Sequence, residues 1–208
     1  MGYYPNLRNE NQLRRKGFKY IVGIDEVGKG SWAGPVLAAA VILDPKTRIS
    51  GIRDSKLLRK TERQRIYNEI TKKAIAWSIG ASSNAEIDKL GISRANEKAM
   101  KRALGKILPQ PDFILIDAVN LHYRQVPSLS IINGDYKIMT IAAASIVAKV
   151  FRDAIMDELD AKYPQYCFGQ NKGYGTSYHF QMLNRFGLCD LHRKTWKPMK
   201  SCTVNSQG

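Results

Sequence analysis

Tyr20-Ile21-Val22-Gly23-Ile24-Asp25-Glu26-Val27-Gly28-Lys29-Gly30 opens as a short apolar run and closes in acids and glycines, and an uninterrupted apolar run follows from Val36 to Leu43. Runs of this length bounded by glycine read as strands, and two of them across a short connection predict a hairpin. A third β-compatible run spans Ala74 to Ala81. Between the second and third the pattern turns helical, with Thr61 and Gln64 as a capping box ahead of Ile66 and Ile70. Ser93 to Leu108 predicts a second, strongly basic helix closed by Pro109, Asp112 to Asp117 a buried strand with an acidic end, and Ser128 to Ile132 another strand before Asn133-Gly134. From Ile141 to Leu159, apolar residues recur at steps of three and four through Ala144, Ala148, Phe151 and Ile155. Ile146, Val147 and Val150 make the first half of that helix apolar nearly all round, so it is expected to be buried. Strands first, then helices alternating with strands, give an α/β fold, a mixed sheet with helices on its faces.

The chain of 208 residues is 44% hydrophobic and 25% charged, enough for one domain with a core that needs no disulfide or metal staple. Lys and Arg number 33 against 18 Asp and Glu, and a net charge of +15 points to a polyanionic partner, nucleic acid first. No apolar run approaches the ~20 residues that span a bilayer, and the N-terminus lacks the apolar stretch of a secretory signal, so no membrane association is expected. Cys167, Cys189 and Cys202 are odd in number and far apart, which reads as reduced thiols in a cytoplasmic protein. The first eighteen residues form a polar, basic arm or capping helix. From Ala161 to Lys200 seven Lys and Arg face the single acid Asp190, with eight aromatics interleaved, a composition that suits a nucleic-acid strand.

Four carboxylates stand where a core-forming pattern does not want them. Asp25 and Glu26 follow the first run, Asp117 ends the run from Phe113, and Asp135 precedes the buried helix. Strand ends are where α/β sheets collect functional groups. Carboxylates brought together repel, so the cluster calls for protons or cations. A pair of Mg²⁺ ions needs only a few carboxylates plus substrate phosphate oxygens, and two ions ~3.5 to 4 Å apart activate water and stabilise the leaving oxygen of a phosphodiester. A lone Asp at a strand end is commonly a turn former, whereas a turn has no use for a second acid at Glu26. Periodicity leaves open whether Asp135 is the fourth ligand or a helix cap, with Asp153 as ligand instead.

Gly28-Lys29-Gly30 puts free backbone N–H groups beside the acids, suited to a sugar or phosphate, or else to a tight hairpin connection. Among the eight basic residues of Arg53 to Lys73, Lys56 in Asp54-Ser55-Lys56 is singled out because it sits in a loop. Lys172-Gly173-Tyr174-Gly175-Thr176 holds a ring between two glycines, where it can stack on a sugar or base and its hydroxyl can meet a 2′-OH, or where it is a core tyrosine at a turn. His179 follows, as an aid to catalysis, an anchor for a phosphate or a structural histidine. His122 and His192 have no comparable context.

At Gly23 to Gly30, Asp54-Ser55-Lys56, Ala142 to Asp153 and Lys172 to Thr176 the sequence resembles the type 2 ribonucleases H, ribonuclease HII, and the resemblance runs from about Tyr20 to Pro198. It implies a ribonuclease H-like mixed five-stranded sheet flanked by helices, with a C-terminal helical segment. The domain reading becomes an arm at 1–18, a catalytic domain at 19–160, a substrate-binding segment of the same domain at 161–200 and a tail at 201–208. The implied activity is cleavage of the RNA strand of RNA–DNA hybrids and cleavage 5′ to ribonucleotides embedded in duplex DNA, leaving 3′-hydroxyl and 5′-phosphate ends. Carried over, Asp25, Glu26, Asp117 and Asp135 become the catalytic, metal-binding acids for Mg²⁺ or Mn²⁺, as two ions with substrate, and Asp135 is favoured over Asp153. Gly28, Lys29, Gly30, Lys56, Tyr174 and His179 become the substrate-binding set, with Tyr174 sensing the ribonucleotide and Lys29 standing where the family normally has arginine. Asp135 in place of Glu, and the short stretch before the first strand, favour type 2 over type 3. The tail shows no aromatic-rich sliding-clamp peptide, and a monomer is expected. The competing readings are another ribonuclease H-fold metal nuclease, of the resolvase or transposase type, and a non-catalytic RNA-binding protein.

Overall fold

A computed structural model describes residues 4–53, 55–197 and 199–200, the side chain of Lys56 excepted. In chain order the elements are α1 (Arg8–Arg15), β1 (Ile21–Val27), β2 (Val36–Leu43), α2 (Lys60–Lys73), β3 (Ala74–Ser82), α3 (Asn84–Leu90), α4 (Ile92–Lys106), β4 (Phe113–Asp117), β5 (Ser128–Ile131), α5 (Gly134–Lys137), α6 (Met139–Lys162), α7 (Phe168–Asn171) and α8 (Ser177–Phe186). The five strands form one mixed sheet in the order β3-β2-β1-β4-β5. β1 and β2 make the expected antiparallel hairpin, with Asp25 opposite Ala39, while β1 and β4 run parallel with Ile24 opposite Ile116.

β2 is apolar at every position because both faces of the sheet are covered. Val36, Ala38, Ala40 and Ile42 face one layer with Ala95, Ala99, Met100, Ala103 and Leu104 of α4. Ala39, Val41 and Leu43 face the other, with Ala142 to Ala144, Ile146 to Ala148 of α6 and Ile66 and Ile70 of α2. Helix α6 approaches β1 so closely that a Cβ on Gly23 would lie 2.2 Å from the carbonyl carbon of Thr140. Its start is also tied to α1, because the buried Glu10 carboxylate accepts from both Thr140 N and Thr140 Oγ1 at 3.0 Å.

Three local expectations need correction. Thr61 lies inside the first turn of α2 and does not cap it; Arg59 stands at the N-cap and its N–H reaches Glu62 at 3.4 Å. The basic helix ends at Lys106, and the segment before it holds an unanticipated helix, α3, opened by a reciprocal Ser83–Glu86 capping box. Gly91, at φ +78°, separates the two helices. Helix α6 outruns the periodic stretch at both ends, reaching Met139 and Lys162.

Candidate active site

Strand β1 ends at the acidic pair, and the parallel neighbour β4 ends at Asp117, so the two carboxyl ends come side by side. Asp135 lies in the single turn of α5, which leads straight into α6. Asp25, Glu26, Asp117 and Asp135 thereby line one cleft of about 290 Å³ together with Gly28, Lys29, Gly30, Ser55, Ser145, Lys149 and Tyr174. Asp25 and Asp135 are almost fully buried at 6% and 5% exposure. Asp25 Oδ1 accepts from Glu26 N at 2.8 Å, its carboxyl also bonds Ser145, and Ser145 Oγ lies 3.1 Å from Ser55 Oγ. Asp117 Oδ1 accepts from Gly134 N at 2.7 Å, which fixes the turn that carries Asp135.

Burial drives the pKa of Asp25 well above the usual carboxylate range, and the charges of Glu26 and Asp117 push it further up against the Ser145 hydrogen bond. Glu26 Oε1 pairs with Lys29 Nζ at 3.0 Å, while Glu26 Oε2 is buried without a hydrogen-bond partner. Buried mutual repulsion and an orphaned carboxylate oxygen are what a divalent cation relieves, so the donor set fits Mg²⁺ or Mn²⁺. Among the described residues no three acidic, imidazole or thiol groups close on a single point. The carboxylates open onto the cleft, which suits ions that take further ligands from phosphate and water.

Asp153 does not join this group. It accepts from Lys149 at 2.6 Å and Arg63 at 3.3 Å, an ion-pair hub outside the lining of the cleft. The Gly28–Gly30 loop is held from beneath by Arg193, which donates to Gly28 O at 2.6 Å and Lys29 O at 3.0 Å. Gly28 has φ +84°, and a Cβ there would strike the Arg152 guanidinium, so only glycine fits. Tyr174 is 37% exposed and its ring lies over Arg152 at 5.6 Å. Ser55, Lys56 and Leu57 form a short 3₁₀ turn; the Lys56 side chain and Asp54 lie outside the described residues. The expectation of substrate contact by His179 is corrected, because its side chain has no exposure and is spent on Tyr174 O and on His192.

Reading the sequence missed Arg152, Arg193, Ser145 and His192. A polar residue in the apolar half of a buried helix was the available signal for Ser145. Nothing local marks Arg193, whose partners lie far off at Gly28, Lys29 and Gly34.

A mixed five-stranded sheet flanked by helices, with carboxylates at the ends of two adjacent parallel strands and in the turn before the covering helix, is a ribonuclease H-like arrangement. The sequence profile of the ribonuclease HII family matches residues 22–199. A ribonuclease HII of Listeria monocytogenes is 46% identical over 196 residues, covering 94% of this chain and 75% of that protein. Among solved structures, the ribonuclease H2 of Pyrococcus horikoshii superposes with TM-score 0.77 at 22% identity, covering 91% of this chain and 100% of that one. The ribonuclease HII of Archaeoglobus fulgidus, solved as a complex with PCNA, gives 0.73 at 23% identity, covering 86% and 96%. Bst-RNase HIII in complex with Mn²⁺ gives 0.66 at 17% identity, covering 90% and 70%. The chain belongs to the ribonuclease HII family. It is an endoribonuclease that acts on RNA–DNA hybrids, in a divalent-metal-dependent class of enzymes.

Proposed function

We propose that this enzyme cuts the RNA strand of hybrids and also cuts 5′ to single ribonucleotides embedded in duplex DNA, leaving 3′-hydroxyl and 5′-phosphate ends. The observation that carries the reading is the shared cleft, where Asp25, Glu26, Asp117 and Asp135 meet the Gly28–Gly30 loop and Tyr174. The four acids would hold two divalent ions, Mg²⁺ or Mn²⁺, with the substrate. When bound, such ions supply Lewis-acid stabilisation of the phosphodiester oxygens and a water acidic enough to attack at neutral pH.

The remaining work falls to the chain. Ser145 orients the Asp25 carboxyl, and Gly134 N orients that of Asp117. The Gly28–Gly30 backbone, stiffened by Arg193, approaches the sugar-phosphate strand. Since Lys29 pairs with Glu26, the backbone of this loop is the reader and the Lys29 side chain is a counter-charge beside the acids. The Tyr174 hydroxyl meets the 2′-OH while its ring packs on the sugar. Residues 19–160 supply the acids and 161–200 supply the tyrosine, as parts of one domain. The +15 net charge attracts the duplex. No helix among the described residues is long and apolar enough to cross a membrane. The tail in which no clamp peptide was read, 201–208, lies outside the described residues.

The test is incubation with Mg²⁺ or Mn²⁺ and three duplexes: a continuous hybrid, a DNA duplex with one ribonucleotide, and its all-DNA counterpart. Cleavage of the first two, with a single cut on the 5′ side of the lone ribonucleotide and no cut in the third, is expected. Cutting of all three equally would replace the reading with a nuclease that does not sense ribose.

A further inference from the structure

Three successive carbonyls of the tyrosine loop are each held by a donor from a different part of the fold. Lys172 O accepts from Arg152 Nη1 at 2.8 Å, Gly173 O from Trp32 N at 2.7 Å, and Tyr174 O from His179 Nδ1 at 2.9 Å. His179 is completely buried, and its Nε2 lies 3.0 Å from Nε2 of the equally buried His192.

The partners settle where the protons are. A carbonyl only accepts, so His179 Nδ1 carries a proton and the Nε2 of the neutral ring carries a lone pair. His192 Nε2 must then donate, which leaves His192 Nδ1 as an acceptor, and that atom faces the Cys189 N–H at 2.9 Å. The other tautomer of His192 would point Nδ1–H at Cys189 O, 3.3 Å away, and set two lone pairs against each other between the rings. One directed chain results, from Cys189 N–H through His192 and His179 to Tyr174 O. Burial lowers the pKa of both imidazoles, that of His192 to about 4, so both rings are neutral near pH 7 as the chain requires.

We propose that His179, oriented by His192, is a positioning residue that sets the pose of Tyr174 in the cleft and with it the enzyme's preference for a lone ribose. The proposal rests on the reading of Tyr174 as the ribose-sensing side chain. Tyr174 is flanked by Gly173, at φ +76°, and Gly175, and the turn is closed by Tyr174 N–H to Asn171 O at 2.9 Å and Gly173 N–H to Asn171 Oδ1 at 2.7 Å. Those bonds are local to the turn, as is the one from Thr176 N–H to Tyr174 O at 3.0 Å; the His179 bond is the side-chain bond made to the tyrosine's own carbonyl, and it ties the turn to the buried histidine pair. His179 is itself fixed in the first turn of α8, where its N–H meets the Thr176 cap at 3.1 Å. A loosened tyrosine still finds a 2′-OH in a continuous hybrid, where every nucleotide has one. In a duplex with a single ribonucleotide it has one chance.

The experiment compares kcat and KM on the single-ribonucleotide duplex and on the continuous hybrid for His179→Asn, His179→Gln and Tyr174→Ala. Asn places an amide N–H where Nδ1–H was and should keep the ratio of the two substrates within about threefold of wild type. Gln keeps a polar end toward His192 but withdraws the donor from Tyr174 O, and should cut kcat/KM about tenfold on the single ribonucleotide with less than about threefold loss on the hybrid. Both variants lose the imidazole packing, so a purely structural histidine would lower melting temperature and both rates alike and leave the ratio unmoved. That outcome overturns the proposal, as does equal behaviour of Asn and Gln. If Tyr174→Ala shifts the ratio and His179→Gln does not, the positioning role alone falls. If Tyr174→Ala leaves the ratio intact, the reading of Tyr174 fails and the proposal with it. Should His179→Gln not fold, His192→Leu, which removes the donor that fixes the His179 tautomer, must shift the ratio in the same direction.

Discussion

Replacing Gly23 by alanine should leave a folded protein that cleaves poorly. The added Cβ would lie 2.2 Å from Thr140 C, 2.4 Å from Ile141 N and 2.5 Å from Thr140 O. All three are backbone atoms, so no side chain can swing aside. Ordinary carbon contacts are ~3.5 to 4.0 Å, so α6 must retreat from β1 by roughly 1.3 to 1.8 Å at this crossing. Overpacking of that kind costs about 1 to 3 kcal/mol. At ~2 to 4 °C per kcal/mol for a chain of this size, the melting temperature should fall by about 2 to 12 °C. A domain with ~5 to 15 kcal/mol in hand stays folded at 25 °C. The site suffers more than the fold, because Asp25 rides on β1 while Ser145, and Asp135 just ahead of it, move with α6. A misplacement of ~1 Å is worth ~10²-fold in rate. Thermal unfolding by circular dichroism and single-turnover cleavage at 25 °C, well below both melting points, make the assay. Gly105→Ala is the control, since its Cβ meets nothing nearer than Tyr123 Oη at 3.7 Å. Gly23→Ala with full cleavage and an unchanged melting temperature would refute the reasoning.

Asp25→Asn should abolish turnover while the protein still folds and binds duplex, with a loss at least as large as the ~10- to 100-fold that removal of an outer metal-site partner brings; Asp153→Asn should spare chemistry at saturating metal and lower the melting temperature, because Arg63 and Lys149 lose their shared counter-charge. Asp135→Asn should behave as Asp25→Asn does, and the reverse ranking of Asp135→Asn and Asp153→Asn would move the fourth ligand from Asp135 to Asp153. Glu86, which Arg102 and Lys98 hold at a pKa of about 2 against an ordinary 4.5, contributes stability that is full above the ordinary value and lost as pH falls through about 2. Glu86→Gln should therefore lower the melting temperature at pH 7 and leave it unchanged at strongly acid pH, a small difference because the pair is partly solvated. Affinity for a duplex should fall linearly on a log–log plot against salt with a slope near −0.9 per phosphate neutralised, roughly; a flat plot would remove the basic surface from the binding account.

The strands, the β1–β2 hairpin and the buried half of α6 were legible because they rest on apolar patterning, which is local, whereas the β1–β4, β4–β5 and β2–β3 pairings join runs far apart in the chain. Asp25, Glu26 and Asp117 were legible because acids at strand ends break that same pattern. Lost to local reading were α3, whose Ser83–Glu86 box lies in a stretch without a strong apolar face, and the end of α4, where Ile107 leaves the helix yet stays buried. The two buried arginines and the histidine pair were lost for a different reason. Arg152 bonds Ser31, Ala33, Pro35 and Lys172, and Arg193 bonds Gly28, Lys29 and Gly34, contacts that exist only once α6 and the C-terminal segment have packed against the β1–β2 connection. His179 looked available in the sequence because nothing there foretells its burial against His192.

Helix α6 acts as a ruler. Ser145, which steadies Asp25, and Arg152, which holds Lys172 O and underlies the Tyr174 ring, sit two turns apart on one face of a single unbroken helix. Two turns are roughly 10.5 Å, and that length is set by backbone hydrogen bonds, whatever the side chains. On the function proposed above, the spacing between the acids that would cut a phosphate and the tyrosine that would feel a ribose is thus written in residue count. Substitutions along the outer face of α6 should be forgiven. Inserting or deleting one residue between Ser145 and Arg152 would turn Arg152 by about 100° and slide it ~1.5 Å, unhooking the gauge from its mark.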